Sequence, residues 1–307
     1  MHPAFSVIFF TTMSGAGYGL WFWLAWSYDL AERPAKGVAL IALGLGFLLV
    51  SIGLLSSTLH LGKPLRAWRA FSQWRSSWLS REGVMAVVCY LPMLWFGAAI
   101  WHGQDHEIAR ALLAIISLAT VLCTGMIYAS LKPIPAWRHG LVLPMYLLLA
   151  IFTGGLLLLS IRSLSSASVP TWTGLATLIV AVLLWRLKRA YWRDLDRGDE
   201  RLPDRASALG LPAGREFHVF ERPHTEANYL TREMGFVLAR KHSRRLRMLA
   251  TIGFALLPAL CAAAMWLFPN LDTSPWLVVA ALSALLGTFV ERWLFFAEAK
   301  HLVMLYY

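Results

Sequence analysis

The sequence predicts an all-α integral membrane protein: eight transmembrane helices, arranged as two four-helix bundles, in a single polytopic domain over residues 1–307. Three observations carry that expectation. Hydrophobic residues make up 58% of the chain and charged residues 15%, against about 45–50% and 25% in soluble domains. Apolar runs of about twenty residues recur with almost no charge, each long enough to cross roughly 30 Å of hydrocarbon. The cations are divided unequally between alternate connections, as they are in a chain threaded back and forth through a bilayer.

In order, the spans fall at about 6–29, 37–59, 82–102, 108–130, 141–161, 170–192, 246–268 and 275–297. The opening Met1-His-Pro-Ala-Phe-Ser has no basic region and no small-residue cleavage site, so the first run reads as a retained span and not a signal peptide. Within it, Gly15-Ala16-Gly17-Tyr18-Gly19 superficially resembles a nucleotide loop. No strand precedes it, and close packing against a neighbouring helix is the better reading. Pro64, Pro133, Pro170, Pro269 and Pro275 fall at or near span ends, where a proline costs no helix hydrogen bond.

Eight crossings put both termini on one side. The connections 60–81, 131–140 and 186–247, with the C-terminal segment, hold 24 of the 28 Lys and Arg; Arg33, Lys36, Arg110 and Arg162 lie opposite. Without the long connection the balance is still nine to four. Both termini and the connections after spans two, four and six are therefore expected in the cytoplasm, and the net charge of +11 reflects these loops rather than a nucleic-acid partner. The connection 194–243 is too long for a helix–helix turn; it is either a platform for docking a soluble partner or a disordered charged loop. Near its end, Leu230-Thr231-Arg232-Glu233 echoes Leu79-Ser80-Arg81-Glu82 at a displacement of four spans. A parallel repeat of two four-helix halves would produce that echo, and so would convergent helix capping.

Ionisable side chains at membrane depth are costly, so each is a candidate for function. They are few: His60 at the end of span two, Glu82 at the start of span three, and Glu291 with Arg292 inside span eight. The segment between His60 and Glu82 carries five cations and three tryptophans, which a belt of snorkelling and anchoring residues would explain. The short connection also brings an imidazole and a carboxylate to one pocket between helix tips. Such a pair suits quinone chemistry, where two electrons move with two protons. Glu291 and Arg292 stand about 100° apart on a helix, so one of them is expected to face the interior, as local charge neutralisation or as part of a proton path. Cys89, Cys123 and Cys261 are single and far apart, which excludes a disulfide framework or a CxxC metal site. No histidine lies at the centre of a span, so no haem is expected.

The run Ser57-Thr58-Leu59-His60-Leu61-Gly62-Lys63-Pro64-Leu65-Arg66-Ala67, followed by Leu79-Ser80-Arg81-Glu82, resembles the membrane anchor subunits of the dimethyl-sulfoxide-reductase type, the DmsC family. The opening through Thr12, the stretch Pro223–Gly235 and the segment from Glu291 to Glu298 are similar to its longer members. The resemblance implies an anchor without haem or iron–sulfur cluster that binds quinone, ubiquinone or menaquinone, as substrate. Its partners would be a four-cluster iron–sulfur subunit and a molybdopterin catalytic subunit, on the cytoplasmic face of a bacterial inner membrane. His60 and Glu82 match the family's quinone-site residues; Arg66, Ser80 and Arg81 share the motifs and are further candidate quinone contacts. Sulfite-oxidising, quinone-reducing members (the SoeC type) look most similar. An anchor of an S- or N-oxide reductase oxidising menaquinol is the alternative, and a secondary transporter or a quinone-free tether are readings from other classes.

Overall fold

A computed structural model of the chain describes residues 4–28, 35–59, 63–198, 206, 209–211, 220, 221, 238–268, 270 and 272–305. Among these residues every regular element is helical. In chain order they are α1 (Phe5–Ser27), α2 (Ala35–Thr58), a 3-10 helix (Pro64–Gln73), α3 (Trp78–Val88), α4 (Tyr90–Trp101), α5 (Glu107–Ala129), α6 (Val142–Leu164), α7 (Trp172–Arg197), α8 (Leu238–Thr251), a π-helical turn (Ile252–Leu256), α9 (Leu257–Leu267), α10 (Ser274–Ala297) and a last 3-10 turn (Leu302–Leu305).

Among the described residues seven stretches are long and apolar enough to cross a membrane: Phe5–Ser27, Lys36–Thr58, Trp78–Trp101, Glu107–Ala129, Val142–Leu164, His242–Leu267 and Ser274–Ala297. The sixth expected span exists as helix α7 but is not among them. Arg186, Lys188, Arg189 and Arg193 load its second half with charge, and the helix runs past the expected end to Arg197. Gly198 then turns the chain at φ 72°, a backbone region that favours glycine. The long connection is correspondingly shorter than 194–243 at both ends; the rest of it, including Leu230–Glu233, lies outside the described residues apart from 206, 209–211, 220 and 221.

Two of the long stretches are interrupted, each beside a proline. Pro92 has no N–H to offer the Val88 carbonyl, and α3 gives way to α4 at Cys89, whose dihedrals stay helical. Pro258 likewise offers nothing to Phe254, and the π turn precedes it. At the start of α10, Asp272 accepts hydrogen bonds from the Ser274 backbone N–H (2.9 Å) and hydroxyl (2.8 Å), which hold its carboxyl below the ordinary value.

Packing is most extensive around α1, which lies against α2, α5, α6 and α10. On one side α2 meets α4, while α3 and α4 meet α5; on the other α7 meets α6 and α9, and α10 meets α6, α8 and α9. The close approaches are made by small residues, as expected where apolar burial alone does not draw helices together. A Cβ on Gly19 would collide with the Ala150 backbone, and one on Gly154 with Gly19. Gly253, in the π turn, stands in the same relation to Gly287 of α10. The glycine run of α1 is thus a packing surface. Tryptophans join neighbours through their indole N–H groups: buried Trp21 donates to the Leu43 carbonyl (3.2 Å), half-buried Trp23 to Ile151 (2.8 Å) and buried Trp137 to Phe295 (3.0 Å).

Candidate functional site

Glu82 lies one turn inside α3, because the helix starts at Trp78 and not at Glu82 itself. That turn carries its carboxylate between helices, where it is only 5% exposed. The Thr124 hydroxyl of α5 donates to Oε1 over 2.5 Å. Among the described residues no cation stands within ion-pair distance of it. A buried carboxyl with one hydroxyl for a partner is an unusual expense in a core and marks a place where function outweighs stability.

A strap packs against α3 at the residues flanking Glu82. The Pro64–Gln73 helix has three residues per turn, so Leu65, Trp68 and Phe71 eclipse one another in one exposed row while Arg66 and Arg69 form the next. Leu65 is 93% exposed and Trp68 65%, an apolar row suited to the boundary between lipid and water. Ser80 fastens the strap: its hydroxyl donates to the Ala70 carbonyl and accepts from the Gln73 N–H (3.2 Å). Gly83 leaves room for the Phe71 ring, which a Cβ would approach to 3.1 Å. Arg81 donates to the carbonyls of Trp74 (3.0 Å) and Arg75 (2.6 Å) and lies 4.3 Å over the Trp78 ring.

Of the five candidate residues, then, Glu82 is buried between helices. Ser80 and Arg81 hold the strap's return into α3, and Arg66 is exposed on the strap. His60 lies outside the described residues, between Leu59 at the end of α2 and Lys63 before the strap.

A second ionic cluster is deeper than the sequence suggested. Glu291 and Arg292 are both buried, because α10 is surrounded by α1, α6, α8 and α9. Lys188 of α7, counted from sequence among the cations of a connection, is 2% exposed and hydrogen-bonds Glu291 Oε1. Arg292 Nη1 stands 3.2 Å from Glu291 Oε2, and its guanidinium lies 3.5 Å over the Tyr146 ring. A signal for Lys188 was present in the sequence: Thr177, Ala181, Leu184, Lys188 and Tyr191 recur at alternating steps of four and three, so Lys188 sits in an apolar helical stripe.

Between these carboxylates lies a polar cavity that no single span announces. Thr12 and Tyr18 of α1, Thr124 of α5, Tyr146 of α6, and Thr288 with Arg292 of α10 line it. It offers about 10 Å³ to the centre of a water molecule. Each of these residues is ordinary alone, and only packing brings them together.

At the outer end of this region Arg247 of α8 ties three elements, donating to Asp196 of α7 (2.7 and 3.0 Å) and to Glu298 beyond α10 (2.9 Å). Burial pushes the Glu298 carboxyl up, with Arg247 countering.

Comparison with known proteins gives the chain a family. Residues 1–297 match the family described as DMSO reductase anchor subunit (DmsC). The chain is 30% identical over 328 aligned residues to a sulfite dehydrogenase subunit from Allochromatium vinosum, covering 100% of this chain and 99% of that one. A full-length match of this kind, joined to the apolar helices, leaves one assignment: the chain belongs to the DmsC family of DMSO reductase anchor subunits.

Proposed function

We propose that this anchor binds quinone at the tips of α2 and α3 and passes electrons between an iron–sulfur subunit and the membrane quinone pool. The favoured reaction is sulfite oxidation coupled to quinone reduction, with the molybdopterin site on a third subunit. The observation that carries the reading is Glu82, a buried carboxyl with a single hydroxyl partner at the base of a strap whose apolar row is exposed. Quinone reduction consumes two protons, and a buried carboxyl beside the strap can deliver one to a carbonyl oxygen. His60, adjoining the same strap, serves as the second proton carrier, and Arg66 and Arg81 add positive charge near a headgroup that accumulates electrons. The likeness to a protein named as part of a sulfite dehydrogenase supports the choice of reaction.

In this reading the chain crosses the inner membrane eight times, with α7 as the sixth span and both termini in the cytoplasm beside the partners. Packing within α1–α5 and within α6–α10 accords with two four-helix bundles, which meet extensively where α1 lies on α6 and α10 and where α2 and α5 touch α6. The cation asymmetry supports the orientation. The connection after α7 docks the soluble subunits; deleting 200–225 releases them from membranes, and full attachment after that deletion removes the docking role.

His60→Ala and Glu82→Gln, each in a fully assembled complex, test the quinone site: both slow electron exchange with added quinone, and unchanged exchange reduces the chain to a tether. The family's description names a reductase, which favours the opposite direction, menaquinol oxidation for an S- or N-oxide reductase. A twin-arginine export signal on the catalytic partner would select that alternative, and its absence selects cytoplasmic sulfite oxidation.

A further inference from the structure

The central cavity collects polar atoms with no hydrogen-bond partner among the described residues. They are the hydroxyls of Thr12, Tyr18, Tyr146 and Thr288 and the Nε of Arg292, on residues each no more than 4% exposed. Buried polar groups in native proteins are almost always satisfied, and orphans on one cavity wall point to a bound water that satisfies several at once. The accessible volume, about 10 Å³, is that of a single water position.

What the cavity touches gives that water a use. One wall is Thr124, whose hydroxyl donates to Glu82. Arg292, whose Nη1 lies 3.2 Å from Glu291 Oε2, lines the cavity as well. That oxygen, too, has no hydrogen-bond partner among the described residues, while Oε1 is held by Lys188. Lys188 lies about two helical turns from Asp194 and Asp196 at the exposed end of α7. We infer that the cavity is a bound-water site through which the Glu82 carboxyl exchanges protons, by way of Thr124, with the Glu291–Lys188 pair beside Arg292. The water between Tyr18, Tyr146 and Thr288 bridges the two halves of the molecule.

This rests on the quinone reading above. Reduction of one quinone to quinol takes two electrons from the iron–sulfur partner and two protons. A proton given up by Glu82 leaves a carboxylate. One proton passed from the Glu291–Lys188 end through the cavity water and the Thr124 hydroxyl restores it, and that pair is reloaded from water at the surface. Arg292 holds its proton throughout; it orients the water and the Glu291 carboxylate without itself transferring.

The test uses the whole complex in membranes, its iron–sulfur centres reduced with dithionite and then mixed with decylubiquinone. Reoxidation of the centres is followed in H2O and in D2O. The double substitution Thr288→Val with Tyr146→Phe removes two cavity hydroxyls with little change of shape. The expected result is about a 10-fold slower limiting rate, with a larger solvent isotope effect and the same quinone concentration at half-maximal rate. Thr288→Val alone, which alters the core least, is expected to move the isotope effect in the same direction. Wild-type rate and isotope effect in these variants, alongside a slow Glu82→Gln, overturn the cavity route while leaving the quinone site standing. A wild-type rate in Glu82→Gln overturns both.

Discussion

Among the described residues, two carboxylates are buried, in two different ways. Glu291, on α10, is met by Lys188 on one oxygen and Arg292 on the other, so its charge is neutralised inside the α6–α10 set of helices. Glu82, on α3, has the Thr124 hydroxyl and no cation in ion-pair range among the described residues. Depth is similar; partners differ. An ionic cluster of the first kind is bound into the packing, whereas a carboxyl of the second kind contributes little to the fold and is free to act on something that approaches it.

That contrast can be broken from either side. The largest effect expected is from Lys188→Met, which leaves Glu291 without its closest partner. Arg292 still faces Oε2, but Oε1 is left buried without its hydrogen bond, at a cost of about 3 kcal/mol, and the thermal unfolding midpoint of the purified complex should fall accordingly. An unchanged midpoint would show that the cluster is not part of the frame. Glu82→Gln is expected to do the reverse, slowing quinone-coupled turnover about 100-fold while the unfolding midpoint stays near wild type. Loss of stability without loss of turnover would exchange the roles of the two carboxylates.

Two smaller changes sharpen the difference. Thr124→Val deletes the one hydrogen bond to Glu82 and should slow quinone exchange about 10-fold, in line with a charge-assisted bond of about 1.5–3 kcal/mol. Retained turnover there would mean that the carboxyl is oriented by something else. Ser80→Ala unfastens the strap from α3 at a cost of about 1 kcal/mol. Its readout is faster tryptic cleavage after Arg69 or Arg75, and unchanged cleavage would leave Phe71 on Gly83 as the real fastening.

Much of this was legible from the residues in order. The long helices fall within several residues of the apolar runs, because the need to satisfy every backbone group in hydrocarbon leaves few alternatives to a helix. The glycines of α1 were recognisable as a packing surface for the same reason. Glu82 stood out as a charge at the lip of a span. Less was visible where a residue's meaning depends on what faces it. Lys188 looked like a loop cation because three arginines flank it on α7, and its burial becomes intelligible only with Glu291 opposite. Ser80 shares a motif with Glu82, and nothing in the order of residues showed that its hydroxyl also bonds the strap. The 3-10 form of that strap was hidden, since a row at every third residue becomes a face only once the helix has tightened to three residues per turn.

By itself the sequence determined that this chain is helical and membrane-embedded, and it carried the motifs by which the family is recognised. Those properties follow from composition and from local patterns that need no partner to be read. The tertiary structure alone decided which carboxylate is neutralised and which stands apart. It also decided that Thr12, Tyr18, Tyr146, Thr288 and Arg292, drawn from three helices, close on one small polar cavity. Electrostatics and hydrogen bonding are set by distance in space, and distance between helices separated by a hundred residues is fixed only when their small residues let the backbones meet.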